Sequence, residues 1–353
     1  MTKLSVVLPV HNALPYLDAA VESILQQDFK DFVLIVRDDA STDGSGERLQ
    51  YWAERDERIK LYRGTEQLGP VGSSNWVTRK AETSLIARMD ADDLAAPDWL
   101  SREYAIMCEH PDVVLTGSFY NTIDHFGRQV RPPERWRMVR RSVYSPFSHS
   151  SILFRREIFE AIGGYREAAA YWEDYDLYVR FAERGRVAVI CLPLNSVRQG
   201  QTSTRLVSDR AEVEKSVNLA YICIDSYVAG KDYSPLLDRA DEIKRDAPLR
   251  PETLVAYAAN QLWAGQSPRV FSRMIREAKL TFSLVTLQCL LWALWCQISP
   301  GSLRYLLRKL VLFRNKVFGR HIKDGQIYEW DPRSMGRSGL LQPAGTGKTG
   351  EQR

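Results

Sequence analysis

The stretch ARMDADDLAAPDWL, residues 87–100, sets Asp90, Asp92 and Asp93 within four positions at the end of an apolar run. Ionised carboxylates that close repel one another unless water, a cation or hydrogen-bond donors compensate. The alternative is an acidic turn in which Asp93 or Asp98 caps the next helix. Two further polar clusters stand at the ends of apolar runs. Pro9, Val10, His11 and Asn12 follow LSVVL, and Asp38 and Asp39 follow FVLIV and Arg37.

Such clusters can act together only if the elements before them bring them to one place. Residues 4–8 are an uninterrupted β-rich run, as expected of a strand buried on both faces. In residues 15–26 the apolar positions Leu17, Ala20, Val21, Ile24 and Leu25 recur at helical spacing. Residues 32–36 form a second strand, and the turn-rich ASTDGSG leads into a helix through Tyr51 and Trp52. A third strand at 59–62, a helix at 73–83 and a fourth strand at 84–89 follow. This alternation predicts βαβ units and an α/β fold with a mostly parallel sheet. Ligands of such sheets sit beyond the carboxyl ends of the strands. All three polar clusters fall on that edge.

Farther along, a helix is expected from Pro97, strands at 113–120 and 148–155, and an Arg-rich loop at 124–137. A helix at 157–162 stops at Gly163-Gly164. YWEDYDLYVRFAERG, residues 171–185, is compatible with another helix, and 187–191 with a last strand.

At 353 residues with 44% hydrophobic and 26% charged residues, the chain has the composition of a globular protein. A formal net charge of +4 gives no reason to expect nucleic acid as a partner. The five cysteines form no CxxC, so reduced thiols in a cytosolic compartment are expected. The opening MTKLSVVLPVHN reads as a core strand and not as a signal peptide. A cytoplasmic location follows as the expectation.

The motifs in their order resemble the family 2 inverting glycosyltransferases, enzymes of the GT-A fold that transfer sugar from a nucleotide diphosphate. The resemblance covers residues 4–203. It rests on SVVLPVHNALPYLDAAVESILQQDF, VRDDASTDGS, LGPVGSSNW, the DADD stretch, FSHSSILFRREIFEAIGGYRE with YWEDYDL, and SVRQGQTST. It implies that Pro9, Val10, His11 and Asn12 line the nucleotide base, with His11 standing where the family commonly has Tyr. Asp39 then accepts from the N3 proton of uracil, a donor that cytosine lacks. DADD becomes the DXD motif that holds Mg2+ or Mn2+ on the donor diphosphate. Asp92 is the first choice as ligand, and Asp90 or Asp93 assists or bonds the ribose.

The same resemblance makes Asp174 the catalytic base that deprotonates the acceptor hydroxyl, with Glu173 its neighbour. It places Gly163 and Gly164 at a turn near the donor sugar, and gives His149 an acceptor-side or diphosphate contact. Arg198 matches the closing motif. Two departures stand out: Ser74 and Gly200 occupy positions where the family often has Arg and His.

From residue 208 the pattern turns to helices. The expected organisation is a GT-A domain at 1–205, a helical region at 206–330 and a disordered Gly-rich tail at 331–353. Residues 280–298 carry no charge, and 301–323 carry seven Lys or Arg and no acid. A basic amphipathic helix beside an uncharged apolar one suggests peripheral attachment to an anionic membrane surface, on the inner face of the cell membrane. The acceptor expected there is a saccharide or a lipid-linked oligosaccharide of a surface polysaccharide. Two rival classes are a sugar nucleotidyltransferase and a non-catalytic nucleotide-sugar-binding assembly protein. The first typically has a Gly-rich basic loop after the first strand, and PVHNALPY is not one.

Overall fold

The structure is a computed structural model and describes residues 2–131, 147–198, 209–248 and 326–333. The chain divides into two compact units, Met1–Arg198 with Ile322–Arg353, and Gln199–His321. The boundary expected after residue 205, the uncharged stretch 280–298, the basic stretch 301–323 and the tail from 334 all lie outside the described residues.

In the first unit the elements run β1 (Leu4–Val10), α1 (Leu14–Leu25), β2 (Phe32–Asp38), α2 (Ser45–Ala53), β3 (Ile59–Arg63), α3 (Gly69–Arg79), β4 (Leu85–Arg88), β5 (Leu94–Ala95) and α4 (Trp99–Glu109). Then come β6 (Val113–Ile123), β7 (Gln129–Arg131), β8 (Ile152–Arg155), α5 (Arg156–Ala161), α6 (Glu173–Ala182), β9 (Arg186–Arg198) and β10 (Ile327–Trp330). The strands form one ten-stranded sheet in the order β10-β9-β6-β8-β4-β1-β2-β3, with β5 on β9 and β7 on β6. The long interfaces β1–β2, β2–β3 and β6–β9 are parallel, as is β1–β4. Short antiparallel pairings insert β8 between β4 and β6.

Each face of the sheet has its own core. Leu4, Val6 and Leu8 of β1 pack with Leu17, Val21 and Ile24 of α1 and with Trp99 and Leu100 of α4. Val7 faces the other way, toward Val71 and Val77 of α3, Phe159 of α5, and Tyr178 and Phe181 of α6. The period-2 alternation of β1 thus feeds two helix layers. Burying each of these large apolar side chains contributes about 1.5–3 kcal/mol.

Several boundaries differ from the sequence reading for identifiable reasons. The first strand runs on through Pro9 to Val10, since the register Pro9↔Arg37 and Val10↔Asp38 continues to the end of β2. Helix α3 starts at Gly69 with Pro70 in its first turn, four residues before the expected start; proline suits that position because its missing N–H has no intrahelical partner there. Part of the Arg-rich loop pairs with β6 as β7. Ile327–Trp330 is a strand antiparallel to β9, inside a stretch expected to be helical. Ile327 packs toward one core, Tyr328 and Trp330 toward the other. That is strand alternation, and four residues are too few to show it against the helical background.

Among its described residues the second unit has three helices, α7 (Arg210–Val228), α8 (Ser234–Asp238) and α9 (Ala240–Asp246). Asp209 caps α7 by accepting from Glu212 N. No helix among the described residues is long and apolar enough to cross a membrane.

Candidate active site

Strands β1, β2 and β4 are mutually parallel, so the residues after them share one edge of the sheet. Strand β8 is antiparallel to β4, with Ile152 opposite Arg88. The residues leading into β8, His149 to Ser151, therefore arrive at the same edge. Strand β9 is parallel to β6 and ends at Arg198. Helix α6 descends toward the start of β9, which leaves Glu173 and Asp174 at its upper end. Topology thus brings the polar clusters after β1, β2 and β4, the residues before β8 and the end of β9 to one rim.

On the β1–β2 side, His11 and Asn12 are exposed while Val10 is buried and Pro9 half-buried. His11 Nδ1 donates to Asp39 O at 2.9 Å, and its Nε2 accepts from Asn12 Nδ2 at 3.2 Å. Asn12 holds φ +50° and accepts from Thr42 N at 2.8 Å. Asp39 is 2% exposed. Its carboxylate accepts from Arg37 Nε (3.2 Å), Leu68 N (3.0 Å) and Gly69 N (3.0 Å). Three donors on about four lone-pair positions fasten the start of α3 to the end of β2. The exposed groups beside it belong to His11 and Asn12.

The DADD loop is asymmetric. Arg88, 5% exposed on β4, places Nη1 2.6 Å from Asp90 Oδ2. Burial would raise the Asp90 carboxyl, but the Arg88 guanidinium holds it below the usual carboxylate range. Asp93 is 4% exposed and accepts from Arg198 N at 2.7 Å. Ser150 Oγ meets both Asp90 Oδ2, at 2.7 Å, and Asp93 Oδ2. A hydroxyl carries one proton, so the second contact uses a proton on a carboxyl. Asp93 is the group that holds it: burial, then the charges of Asp92 and Asp90, push its pKa well above the ordinary value.

Asp92 is half-buried, and its carboxylate has no side-chain partner among the described residues. Burial and the Asp90 charge push its pKa up to about 6. Of the three it is the carboxylate with no arginine or hydroxyl in direct contact among the described residues, although it feels the charges of Arg198 and Arg88. One such carboxylate fits Mg2+ or Mn2+, which typically bind to one or two carboxylates and complete their shell with phosphate oxygens and water. No group of three or more His, Cys, Asp or Glu among the described residues forms an all-protein metal site.

Arg198 holds this loop from outside. Its Nε donates to Asp92 O at 2.8 Å, its Nη1 to Asp124 O at 2.7 Å, and the guanidinium lies 4.3 Å from the Tyr16 ring centre. These donors are spent on backbone carbonyls, which makes Arg198 a support of the acidic loop.

Asp174 lies in the first turn of α6, half-buried, and accepts from Tyr175 N at 2.7 Å. Glu173 is half-buried beside it. Asp176, two residues on, is fully buried between Arg166 and Arg180, whose Nη2 is 2.7 Å away. Between the two acidic groups stand Tyr165 and Tyr178. Tyr165 Oη pairs with His149 Nε2 at 2.7 Å. The pKa of Tyr165 is raised by burial, and its hydroxyl feels the charges of Arg88, Asp90, Glu173 and Asp174. Tyr178 feels Asp174 and Asp90 as well, and its buried hydroxyl has no hydrogen-bond partner among the described residues. Burial and Arg88 push the His149 imidazole well below its ordinary pKa, so it stands here as a neutral partner of Tyr165.

The two glycines have different reasons for being glycine. Both hold positive φ, +82° at Gly163 and +74° at Gly164. A Cβ on Gly164 would strike Asn75 Oδ1 and Phe159 Cζ, so the close approach there is to α3 and α5. Asn75 bridges to the next residue, donating to Tyr165 O and accepting from Tyr165 N, each at 2.9 Å. Sequence reading overlooked Arg88, Ser150, Tyr165 and Tyr178. An arginine inside an apolar strand two residues before an Asp was the one local signal for them; the others depend on which strands are neighbours.

Residues 5–163 match the family model described as Glycosyl transferase family 2. EpsE of Bacillus subtilis (strain 168) is 34% identical over 191 residues, covering 52% of this chain and 68% of that protein. The chain belongs to glycosyltransferase family 2. A second relative, the O-antigen biosynthesis glycosyltransferase WbnJ of Escherichia coli, is 28% identical over 183 residues, 50% of this chain and 70% of its own length. Among solved structures, S. aureus TarS 1-349 in complex with UDP-GlcNAc superposes with a TM-score of 0.51 at 15% identity, over 76% of this chain and 83% of that one. That likeness shows the GT-A fold.

Proposed function

We propose that this glycosyltransferase moves a sugar from a nucleoside diphosphate donor, a UDP-sugar, to a hydroxyl of a saccharide or lipid-linked oligosaccharide acceptor, with inversion at the anomeric carbon. The observation that carries the reading is the buried Tyr165 hydroxyl, which feels both Asp90 of the DADD loop and Asp174 of α6. A donor-side carboxylate and a base candidate thus both lie within electrostatic reach of one buried hydroxyl. UDP-GlcNAc in TarS lends the donor class its support.

In this reading His11 and Asn12, with Pro9 and Val10 behind them, meet the base. Asp39 reads the imide proton with its remaining lone pair. Asp92 would hold Mg2+ or Mn2+. The cation, when bound, neutralises charge that develops on the leaving diphosphate. Asp174, in the first turn of α6, accepts the proton of the acceptor hydroxyl as that oxygen attacks the anomeric carbon. A single displacement of this kind needs one base and no enzyme nucleophile, and it inverts the centre. Tyr165 and Asn75 fix the loop that precedes Asp174. Residues 1–205 form the transferase domain, and the basic stretch 301–323 holds the enzyme on an anionic membrane surface, on the cytoplasmic face. That last step rests on sequence charge.

The test is thermal stabilisation by nucleoside diphosphates with and without Mn2+, followed by transfer assays with a panel of nucleotide sugars. UDP-selective, Mn2+-dependent stabilisation is expected; equal stabilisation by all diphosphates without metal overturns the donor assignment. Unchanged binding to anionic vesicles after deletion of 301–323 overturns the membrane assignment.

A further inference from the structure

We infer that Arg88 is a positioning residue of the donor site, acting through Asp90 to keep that carboxylate turned away from the cation so that Asp92 alone meets it. The inference rests on the proposed donor reading and deepens it. Arg88 closes β4 at 5% exposure, where its neighbours Leu85, Ile86, Ala87 and Met89 are all buried apolar residues. Its one anionic partner among the described residues is Asp90, at 2.6 Å, and its Nε has no hydrogen-bond acceptor. A buried guanidinium with a donor left over is costly to desolvate, and well-packed apolar residues in place of both members of a buried ion pair are often neutral or better. Its presence calls for a purpose other than packing.

The geometry supplies one. Asp90 Oδ2 is the oxygen shared between the ion pair with Arg88 of β4 and the hydrogen bond from Ser150 Oγ ahead of β8, so the carboxylate is held between the two strands. Asp93 is held by Ser150 and by Arg198 N at the end of β9. Without Arg88 the loop would present two uncompensated carboxylates two residues apart. Water and phosphate oxygens complete the shell in either case, but a second carboxylate adds charge and a ligand, so a cation met by one carboxylate depends more on the diphosphate than one met by two. Arg88 thereby makes cation binding depend on the nucleotide.

The experiment measures Mn2+ binding by calorimetry, in the absence and presence of UDP, on the full chain. In Arg88→Met, Mn2+ is expected to bind the nucleotide-free protein at least about tenfold more tightly than in wild type, and UDP is expected to improve it less. Arg88→Lys keeps the charge and should restore the dependence on UDP. In Asp90→Asn the orphaned Arg88 charge should weaken Mn2+ binding with UDP, and R88M/D90N should recover it. A folded R88M with wild-type Mn2+ affinity, or a double variant no better than D90N, overturns the inference. The D90N and double-variant arm stands even if R88M does not fold. If wild type itself shows no coupling of UDP and Mn2+, the donor reading fails; if wild type couples them and the variants match it, Arg88 alone is misassigned.

Discussion

The end of β4 and the start of α6 each set three carboxylates within four positions, and the protein treats the two triplets differently. In the α6 triplet the buried member, Asp176, lies between two arginines, Arg166 and Arg180. The half-buried Asp174 is left at the rim. In the β4 triplet one arginine serves Asp90, and the proton-bearing Asp93 shares Ser150 with it. Asp92 is the member left over, with its pKa pushed up to about 6 by burial and the Asp90 charge. In the first cluster both arginines converge on the buried Asp176, whereas in the second the one arginine serves Asp90 and leaves a deficit of positive charge at Asp92. A site that takes up a divalent cation needs such a deficit, and a site that takes up a proton needs an exposed carboxylate beside a fixed scaffold. Charge count alone does not distinguish the two; the position of the arginines does.

The largest break in this comparison should come from Asp174→Asn. Loss of a general base lowers kcat by about 10²–10⁴-fold, read in the transfer assay, with UDP binding unchanged. Full activity in this variant would remove Asp174 from the mechanism. Next comes Asp176→Ala, which strands two arginines around a buried position. Denaturant unfolding should show a loss of about 3–5 kcal/mol. A value below about 1 kcal/mol would mean that the α6 triplet is not held together by its arginines.

The β4 triplet is sharpened by contrast between its own members. Asp92→Asn should weaken Mn2+-dependent UDP binding by about 10–100-fold or more, since a direct ligand counts for at least as much as the groups that orient it. Asp93→Asn, which replaces a proton-bearing carboxyl by a neutral amide of the same shape, should change it far less. Equal effects would show that both carboxylates meet the cation.

The smallest effect concerns a carboxylate with neither an arginine nor an open side. Glu103 on α4 is fully buried, accepting from Thr116 Oγ1 at 3.1 Å. Burial pushes its pKa well above the ordinary 4.5. A pKa raised on folding means that the folded state binds the proton more tightly. Its contribution is therefore fully present below pH 4.5 and is lost as pH rises through the folded value. Glu103→Gln should flatten that part of the stability profile above pH 4.5, read by thermal unfolding across a pH series. An unchanged slope would show that Glu103 does not carry the proton.

Much of the sheet was legible because β1, β2 and the helix between them follow strict periodicities: Leu4, Val6 and Leu8 on one face, Leu17, Val21 and Ile24 on the helix that covers it. The rim was legible for the same reason, since parallel strands end together. Short strands such as Ile327–Trp330 escaped, because four residues carry too little periodicity to compete with their context. Within the site, Asp39 illustrates the limit. The sequence shows a carboxylate at a strand end, and the fold shows it caught by the amides of Leu68 and Gly69, 29 and 30 residues on.

By itself, then, the sequence determined the alternation of strands and helices, the edge on which the acidic clusters fall, and the family they match, because these depend on local period and motif order. The tertiary structure decided which carboxylate of each triplet is open. That choice depends on where Arg88, Arg166, Arg180 and Ser150 come to rest. The strand neighbours that set it are 57 and 60 residues apart for Ser150 with Asp93 and Asp90, a pairing created when β8 inserts antiparallel beside β4.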